Sequence, residues 1–354
     1  MQVLIRVDSS IKIGTGHVMR CLTLANQLKS KGLQVLFVCR ELEGNIIDYI
    51  QLQGFSVHSI PNKTKLEKAY WLEDVNQIIQ IIKSGCLEVK LLIVDHYELD
   101  KEWEEKLRPF VKKIMVIDDL ANRSHDCDIL LDQNYYVNLE TRYQSLVPKN
   151  CVQLLGPNYA LLRDEFLEVV NGPRERTEKI ENILVFFGGT DPTGETVKTL
   201  EALRKQIKQN VIVSVVVGAS NPKRNEVEKL CHQMPNTIFH CQVSNMAELM
   251  QNADLAIGAG GSTTWERCFL RLPSITIIVA ENQHELTEAI STLGTSINLG
   301  ISKEVGVLDI ENAISNILSN PFQIKDMSIN CSKVMDQDQM REYPVLREIE
   351  VNCL

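Results

Sequence analysis

At 354 residues the chain is too long for one ordinary hydrophobic core, so two domains are expected. Hydrophobic residues make up 44% and charged residues 23%, the balance of a globular protein, and a formal net charge of −9 with no long basic run argues against a nucleic-acid partner. No apolar stretch approaches the ~18 residues of a membrane span, no signal-peptide architecture opens the sequence, and the ten cysteines, none in a CxxC pair, read as reduced thiols of a cytoplasmic protein.

In chain order, residues 3–7 (VLIRV) read as a short apolar strand. Asp8-Ser9-Ser10 and the turn Ile13-Gly14-Thr15-Gly16-His17 follow, and then a helical run over 18–28. A strand, a glycine turn and a helix in that order present backbone N–H groups to an anion. His17 stands where the turn enters the helix and is the one side chain there that titrates near neutrality. Residues 35–39 form the next expected strand, 46–53 a helix, 56–60 a strand, and 72–84 an amphipathic helix. Three further strands are expected at 91–94, 114–117 and 129–131. Each ends in polar residues: Asp95-His96-Tyr97, Asp118-Asp119, and Asp132-Gln133-Asn134-Tyr135. Open α/β sheets bind ligands just past such strand ends.

Residues 171–176 are charged, carry Gly and Pro, and read as the linker. A second α/β series opens with a strand at 183–187 and the loop Gly188-Gly189-Thr190-Asp191. Strands are expected at 211–217, 237–240, 254–257 and 274–279. The strand at 254–257 leads into Gly258-Ala259-Gly260-Gly261-Ser262-Thr263-Thr264, and the last into Glu281-Asn282-Gln283. Two similar α/β domains facing a shared cleft is the architecture this implies.

The GTGH turn is neither a dinucleotide fingerprint, since Met19 stands where a third glycine belongs, nor a P-loop; a plain strand–helix turn is its bland alternative. The two later glycine loops are stronger as a pair. Glycines let a phosphate approach the backbone, and Thr190, Ser262 and Thr263 add hydroxyl donors. Glu266 suits a ribose or, equally, a favourable place near a helix start. Trp265 reads as packing rather than base stacking. His96 reads as a core or capping residue, and Tyr97 could orient a water or a sugar hydroxyl. Asp126-Cys127-Asp128 enters a strand instead of following one, so it reads as structural rather than metal-binding. Asp118-Asp119 is a better candidate for substrate contact.

Six segments together, RVDSSIKIGTGHVMRC, LLIVDHY, HDCDILLDQN, GPNYALLRDEF, FFGGTD and GAGGSTTWE, resemble the UDP-2,4-diacetamido-2,4,6-trideoxy-β-L-altropyranose hydrolases of pseudaminic acid biosynthesis. That family is similar in turn to spore-coat polysaccharide proteins and to the glycosyltransferase of the peptidoglycan lipid precursor. The resemblance runs to about residue 299, and the rest is longer than the family pattern. It implies a GT-B-like α/β fold of two Rossmann-like domains facing a central cleft: 1–170 on the sugar side, 180–320 binding UDP, then a tail at 321–354, helical or partly mobile. It implies that His17 activates a water that attacks the anomeric carbon with inversion, releasing UDP, and that Tyr97 positions water or sugar. It places Gly188, Gly189, Thr190, Gly261, Ser262 and Thr263 on the diphosphate, Glu266 on the ribose and Gln283 on the sugar. Gly14, Gly16, Asp8, Asn134 and Tyr159 are further binding candidates, with Arg6 beside them. The implied partners are a UDP-sugar and water, with no cofactor and no metal. A UDP-sugar glycosyltransferase of surface or spore-coat polysaccharide synthesis is the alternative, with a binding scaffold as the third class. Because the base must be neutral, activity should fall at acidic pH.

Overall fold

The computed structural model describes residues 2–62, 70–169, 174, 176–206 and 210–353. The chain divides into one unit of Met1–Leu161 with Gln339–Leu354 and a second of Leu162–Asp338.

Among the described residues the first unit has β1 Gln2–Val7, β2 Gln34–Arg40, β3 Ser56–Ile60, β4 Val89–Asp95, β5 Val111–Ile117, β6 Ile129–Asp132 and β7 Val152–Leu155. They form one parallel sheet in the order β3-β2-β1-β4-β5-β6-β7. Period-two alternation sends Val3, Ile5 and Val7 to one apolar layer and Leu4 to the other, so both faces are covered. The first layer includes Val18, Cys21, Leu24, Ala25 and Leu28 of the helix Gly16–Ser30. These lie three or four residues apart, one stripe of a helix.

The second unit has β8 Asn182–Phe186, β9 Ile212–Val217, β10 Thr237–Cys241, β11 Leu255–Ala259, β12 Ser274–Ile278 and β13 Ser296–Ile301. The order is β10-β9-β8-β11-β12-β13, again parallel. Counted from its own first strand this is 3-2-1-4-5-6, the Rossmann order. β8 and β11 approach closely at Gly258, where a Cβ would lie 2.3 Å from the Phe186 carbonyl oxygen.

The expected strands and helices are present, with ends shifted by at most three residues. Two edge strands, β7 and β13, lie where sequence alone gave no strand. β7 is four residues long, and β13 (SINLGI) is half-buried throughout and carries Asn and Gly, so neither shows the apolar run of a central strand. Of the expected linker, residues 171–173 and 175 lie outside the described residues. Arg174 and Arg176 are held, not loose. They donate to carbonyls at the end of the helix Met246–Asn252, and Arg174 also pairs with Asp254 at 2.5 Å.

The C-terminal stretch is helical: Phe322–Val334, Gln337–Arg341 and Pro344–Cys353. The first of these belongs to the second unit, whereas the last returns to the first. There Val345, Leu346 and Ile349 join the apolar layer beneath the helix Gly16–Ser30. The ten cysteines are free thiols. No helix among the described residues is long and apolar enough to cross a membrane.

Candidate active site

In each unit the strand order reverses beside the first strand, and ligands of open α/β sheets bind outside the carboxyl ends at that point. In the first unit, β1 and β4 end in register, Val7 opposite Asp95. The topology thereby brings the GTGH turn beside Asp95-His96-Tyr97. The turn is closed by Gly14 N–H donating to Ser10 O at 2.8 Å and Ile13 N–H to Ser10 Oγ at 3.0 Å. Gly14 sits at φ 79°, a conformation that glycine adopts without strain. Space is open where Gly14 and Gly16 would carry a Cβ.

His17 and Arg20 lie one turn apart on a single helix face. His17 Nδ1 is 2.6 Å from Asp95 Oδ1, and Arg20 grips both Asp95 oxygens through Nε and Nη2 at 2.6 Å each. Arg20 Nη1 also reaches Asp119 at 3.0 Å. Burial opposes ionisation of Asp95, but the charges and hydrogen bonds of Arg20 and His17 outweigh it and hold the carboxyl well below its usual range. An ionised carboxylate only accepts, so Nδ1 carries the proton and donates. Arg20 Nη2, 3.1 Å from the same nitrogen, can only donate as well, so that approach is a contact and not a bond. Nε2 is therefore the ring nitrogen that can act as an acceptor, in the tautomer whose proton is on Nδ1. Tyr97 meets the ring edge-on, centroids 4.6 Å apart at 85°.

His96 Nδ1 accepts the Glu98 N–H at 3.1 Å, so Nε2 donates to Asp8 at 3.2 Å. This bears out its reading as a core residue. Beneath it, Arg6 bridges Asp8 and Asp74, Arg40 bonds Asp74 at 2.9 Å, and Trp103 Nε1–H donates to Asp74 at 3.1 Å. Arg6 and Asp74 are fully buried and Asp8 is 1% exposed. Arg6 and Asp8 thus lie in the interior, not at the surface.

The expectation of substrate contact is corrected for Asp118, whereas Asp119 keeps Oδ1 without a hydrogen-bond partner among the described residues. Asp118 is fully buried, paired with Arg123 at 2.7 Å and accepting from Tyr143 at 3.0 Å, while Asp119 serves Arg20. The residues are partners of arginines because buried carboxylates need them. Burial pushes the neighbouring Asp132 up to about 7. Asn134 donates to Tyr136 Oη at 3.3 Å and is buried, and Tyr159 packs half-buried against the apolar layer. Asp126 and Asp128 share Arg108, and Lys113 adds a bond to Asp128 at 2.9 Å, the structural role read from their position.

In the second unit the loops after β8 and β11 flank the equivalent reversal. Gly188 sits at φ 91°, and nothing lies within 4 Å of where Gly188 or Gly189 would carry a Cβ. The following helix start is not open to an anion. Asp191 already accepts from Glu195 N–H at 3.0 Å and Thr196 N–H at 2.8 Å. The Gly188-Gly189-Thr190 loop precedes that helix start. It is fixed from behind by Gly218, whose N–H donates to Gly189 O at 3.0 Å and whose Cβ would lie 2.5 Å from that oxygen. Gly218→Ala is expected to force the loop apart and to cost roughly 1–3 kcal/mol, read as an earlier unfolding transition.

After β11, Arg267 lies buried beneath the loop and donates to Ala259 O, Thr264 Oγ1 and Thr263 Oγ1 at 3.0, 3.0 and 3.1 Å. Thr263 accepts there, which leaves its single hydroxyl proton for another acceptor. Gln283 Oε1 accepts the Val279 N–H at 3.1 Å. Its amide nitrogen therefore points at the loop, 3.3 Å from where Gly261 would carry a Cβ. Ser262 is exposed, and Trp265, 1% exposed, is a packing residue as expected. Glu266 is bound by Arg163 Nη2 at 3.0 Å and Nε at 3.2 Å, both on Oε1.

Sequence reasoning placed His17, Tyr97 and the glycine loops but gave no role to Asp95, Arg20, Arg163 or Arg267. The i,i+3 spacing of His17 and Arg20 was a usable signal; pairing with a carboxylate 78 positions away was not.

Among the described residues no group of three or more His, Cys, Asp or Glu is arranged to hold a metal. Residues 183–342 match the glycosyltransferase family 28 C-terminal domain and residues 9–86 a glycosyl transferase 4-like domain. The chain is 32% identical over 286 residues to UDP-2,4-diacetamido-2,4,6-trideoxy-beta-L-altropyranose hydrolase of Campylobacter jejuni, covering 80% of this chain and 93% of the relative. Its fold is similar to MurG of Acinetobacter baumannii, with a TM-score of 0.65, 12% identity, and coverage of 98% and 99% of the two chains. It is also similar to UDP-GlcNAc 2-epimerase of Neisseria meningitidis, with a TM-score of 0.62, 11% identity, and coverage of 99% and 100%. Two Rossmann-like units, a glycosyltransferase-type C-terminal domain and this identity place the chain in the family of the Campylobacter hydrolase, among the enzymes of GT-B-like fold.

Proposed function

We propose that this chain breaks the anomeric C1–O bond of a UDP-sugar, with His17 as the base on an incoming oxygen nucleophile. The observation that carries this reading is the Asp95–His17 pair, which fixes the ring tautomer and leaves Nε2 as an acceptor. The nucleophile's oxygen attacks C1, its proton passes to Nε2, and the C1–O bonding pair leaves with UDP. UDP is a competent leaving group, so the further need is charge stabilisation on the diphosphate. That task is assigned to Gly188, Gly189, Thr190, Gly261, Ser262 and Thr263, with the buried Arg267 beneath the second loop. Glu266 takes the ribose, Gln283 offers its amide N–H to the sugar or phosphate, and Tyr97 positions sugar or nucleophile. Gly14 and Gly16 leave room beside His17, and Asn134 and Tyr159 are weaker binding candidates of the same unit.

Two nucleophiles fit this chemistry. An acceptor hydroxyl, and so glycosyl transfer, has the wider support, because both matching family models are of glycosyltransferase type. Water has one specific observation behind it, the 32% identity to the Campylobacter hydrolase. On that reading the substrate is a UDP-2,4-diacetamido-2,4,6-trideoxyhexose and the product an inverted free sugar of the pseudaminic acid route.

The test is UDP release from candidate UDP-sugars, with and without an acceptor alcohol, followed by NMR of the sugar product. Turnover without acceptor assigns hydrolysis; turnover only with acceptor assigns transfer. In either case EDTA is expected to leave the rate unchanged. Inhibition by EDTA that Mg²⁺ or Mn²⁺ reverses would overturn the metal-independent mechanism, and no UDP release from any UDP-sugar would overturn the whole reading.

A further inference from the structure

We infer that Arg163 is a positioning residue of the nucleotide site, holding Glu266 by one oxygen so that the other is aimed at the ribose hydroxyls. The inference rests on the proposal that the second unit binds UDP. Arg163 lies outside both glycine loops, just before the helix Asp164–Val169. Its Nε and Nη2 both bond Oε1 of Glu266, and its Nη1 pairs with Glu165. Glu165 is itself fixed, accepting the Ala247 N–H at 3.1 Å at the start of the helix Met246–Asn252. The guanidinium also lies over the Phe166 ring, 4.9 Å from its centroid. Arg163 is thus held on three sides before any ligand arrives.

The other carboxylate oxygen of Glu266 is different. Oε2 is buried and has no hydrogen-bond partner among the described residues. A buried acceptor left unpartnered costs roughly 1–3 kcal/mol, so such an atom in a folded site calls for a partner. A vicinal diol supplies two O–H donors of the kind it lacks. Burial pushes the Glu266 carboxyl up from its ordinary value, and Arg163 acts against that shift, favouring the ionised acceptor. The side chain that fixes the geometry of Oε1 therefore also keeps Oε2 a strong acceptor.

The test compares UDP with 2′,3′-dideoxy-UDP by titration calorimetry. A hydroxyl bonded to a carboxylate is expected to favour UDP by roughly ten- to a hundredfold in the wild-type chain. In R163Q that preference should fall at least several-fold, with affinity for the dideoxy nucleotide within twofold of wild type. In R163K, which keeps the charge but not the paired donors, it should fall to an intermediate value. A structural role alone would weaken both nucleotides together, and that result overturns the inference, as does a preference unchanged in R163Q. Should R163Q fail to fold, an unchanged preference in R163K overturns it equally. Failure of the wild-type chain to bind UDP at all is a separate result, and it removes the functional reading rather than the role of Arg163 within it.

Discussion

Replacement of His17 by alanine is expected to slow turnover by about 10²–10⁴-fold while leaving UDP affinity within twofold of wild type. The rate falls because the proposed base is gone, and affinity persists because the nucleotide is assigned to residues of the other unit. The fold should survive, since Asp95 keeps both bonds from Arg20 when the ring is gone. Steady-state rates with isothermal titration of UDP measure both halves. Undiminished turnover in His17→Ala would remove the residue from the mechanism.

Replacement of Arg6 by methionine is expected to be the most damaging change to the first unit. Arg6 is fully buried and is the shared cation of Asp8 and Asp74, which are themselves 1% and 0% exposed. With Arg40 the cluster holds two cations against two carboxylates, and His96 joins as a neutral donor. Loss of Arg6 leaves a net buried negative charge, which costs about 3–5 kcal/mol. The pH dependence has a definite sign. Burial resists ionisation of Asp8, but Arg6 and His96 hold its carboxyl well below the ordinary range. A depressed folded value stabilises above the unfolded value of about 3.9, and that contribution is lost as pH falls through the folded value. The gap between wild type and Arg6→Met should therefore be wide at neutral pH and begin to narrow only below about pH 4, closing further as the pH approaches the depressed folded value. Denaturant melts at several pH values measure it, and a gap independent of pH would show that packing, not charge, sets the loss.

The legibility of the site follows the range of the forces involved. The GTGH turn, the two glycine loops and the polar strand ends were readable because backbone conformation and strand periodicity are local. Edge strands were not: β7 and β13 carry too little apolar signal to show without their neighbours. Asp118 misled for a related reason. A carboxylate past a strand end looks the same in sequence whether it faces a ligand or an arginine, and for the buried Asp118 it is Arg123 that it meets.

By itself the sequence determined the two α/β series, the turn that presents His17, and the family segments that carry a UDP-sugar expectation. Its information is in spacing, and spacing governs elements a few residues long. Only the tertiary structure decided what His17 is bonded to, which oxygen of Glu266 is left open, and that Arg6 and Asp8 lie in the interior. Those outcomes depend on parallel crossovers that set β1 beside β4 and β8 beside β11, and on burial, which makes each charge seek its partner wherever the fold has put one.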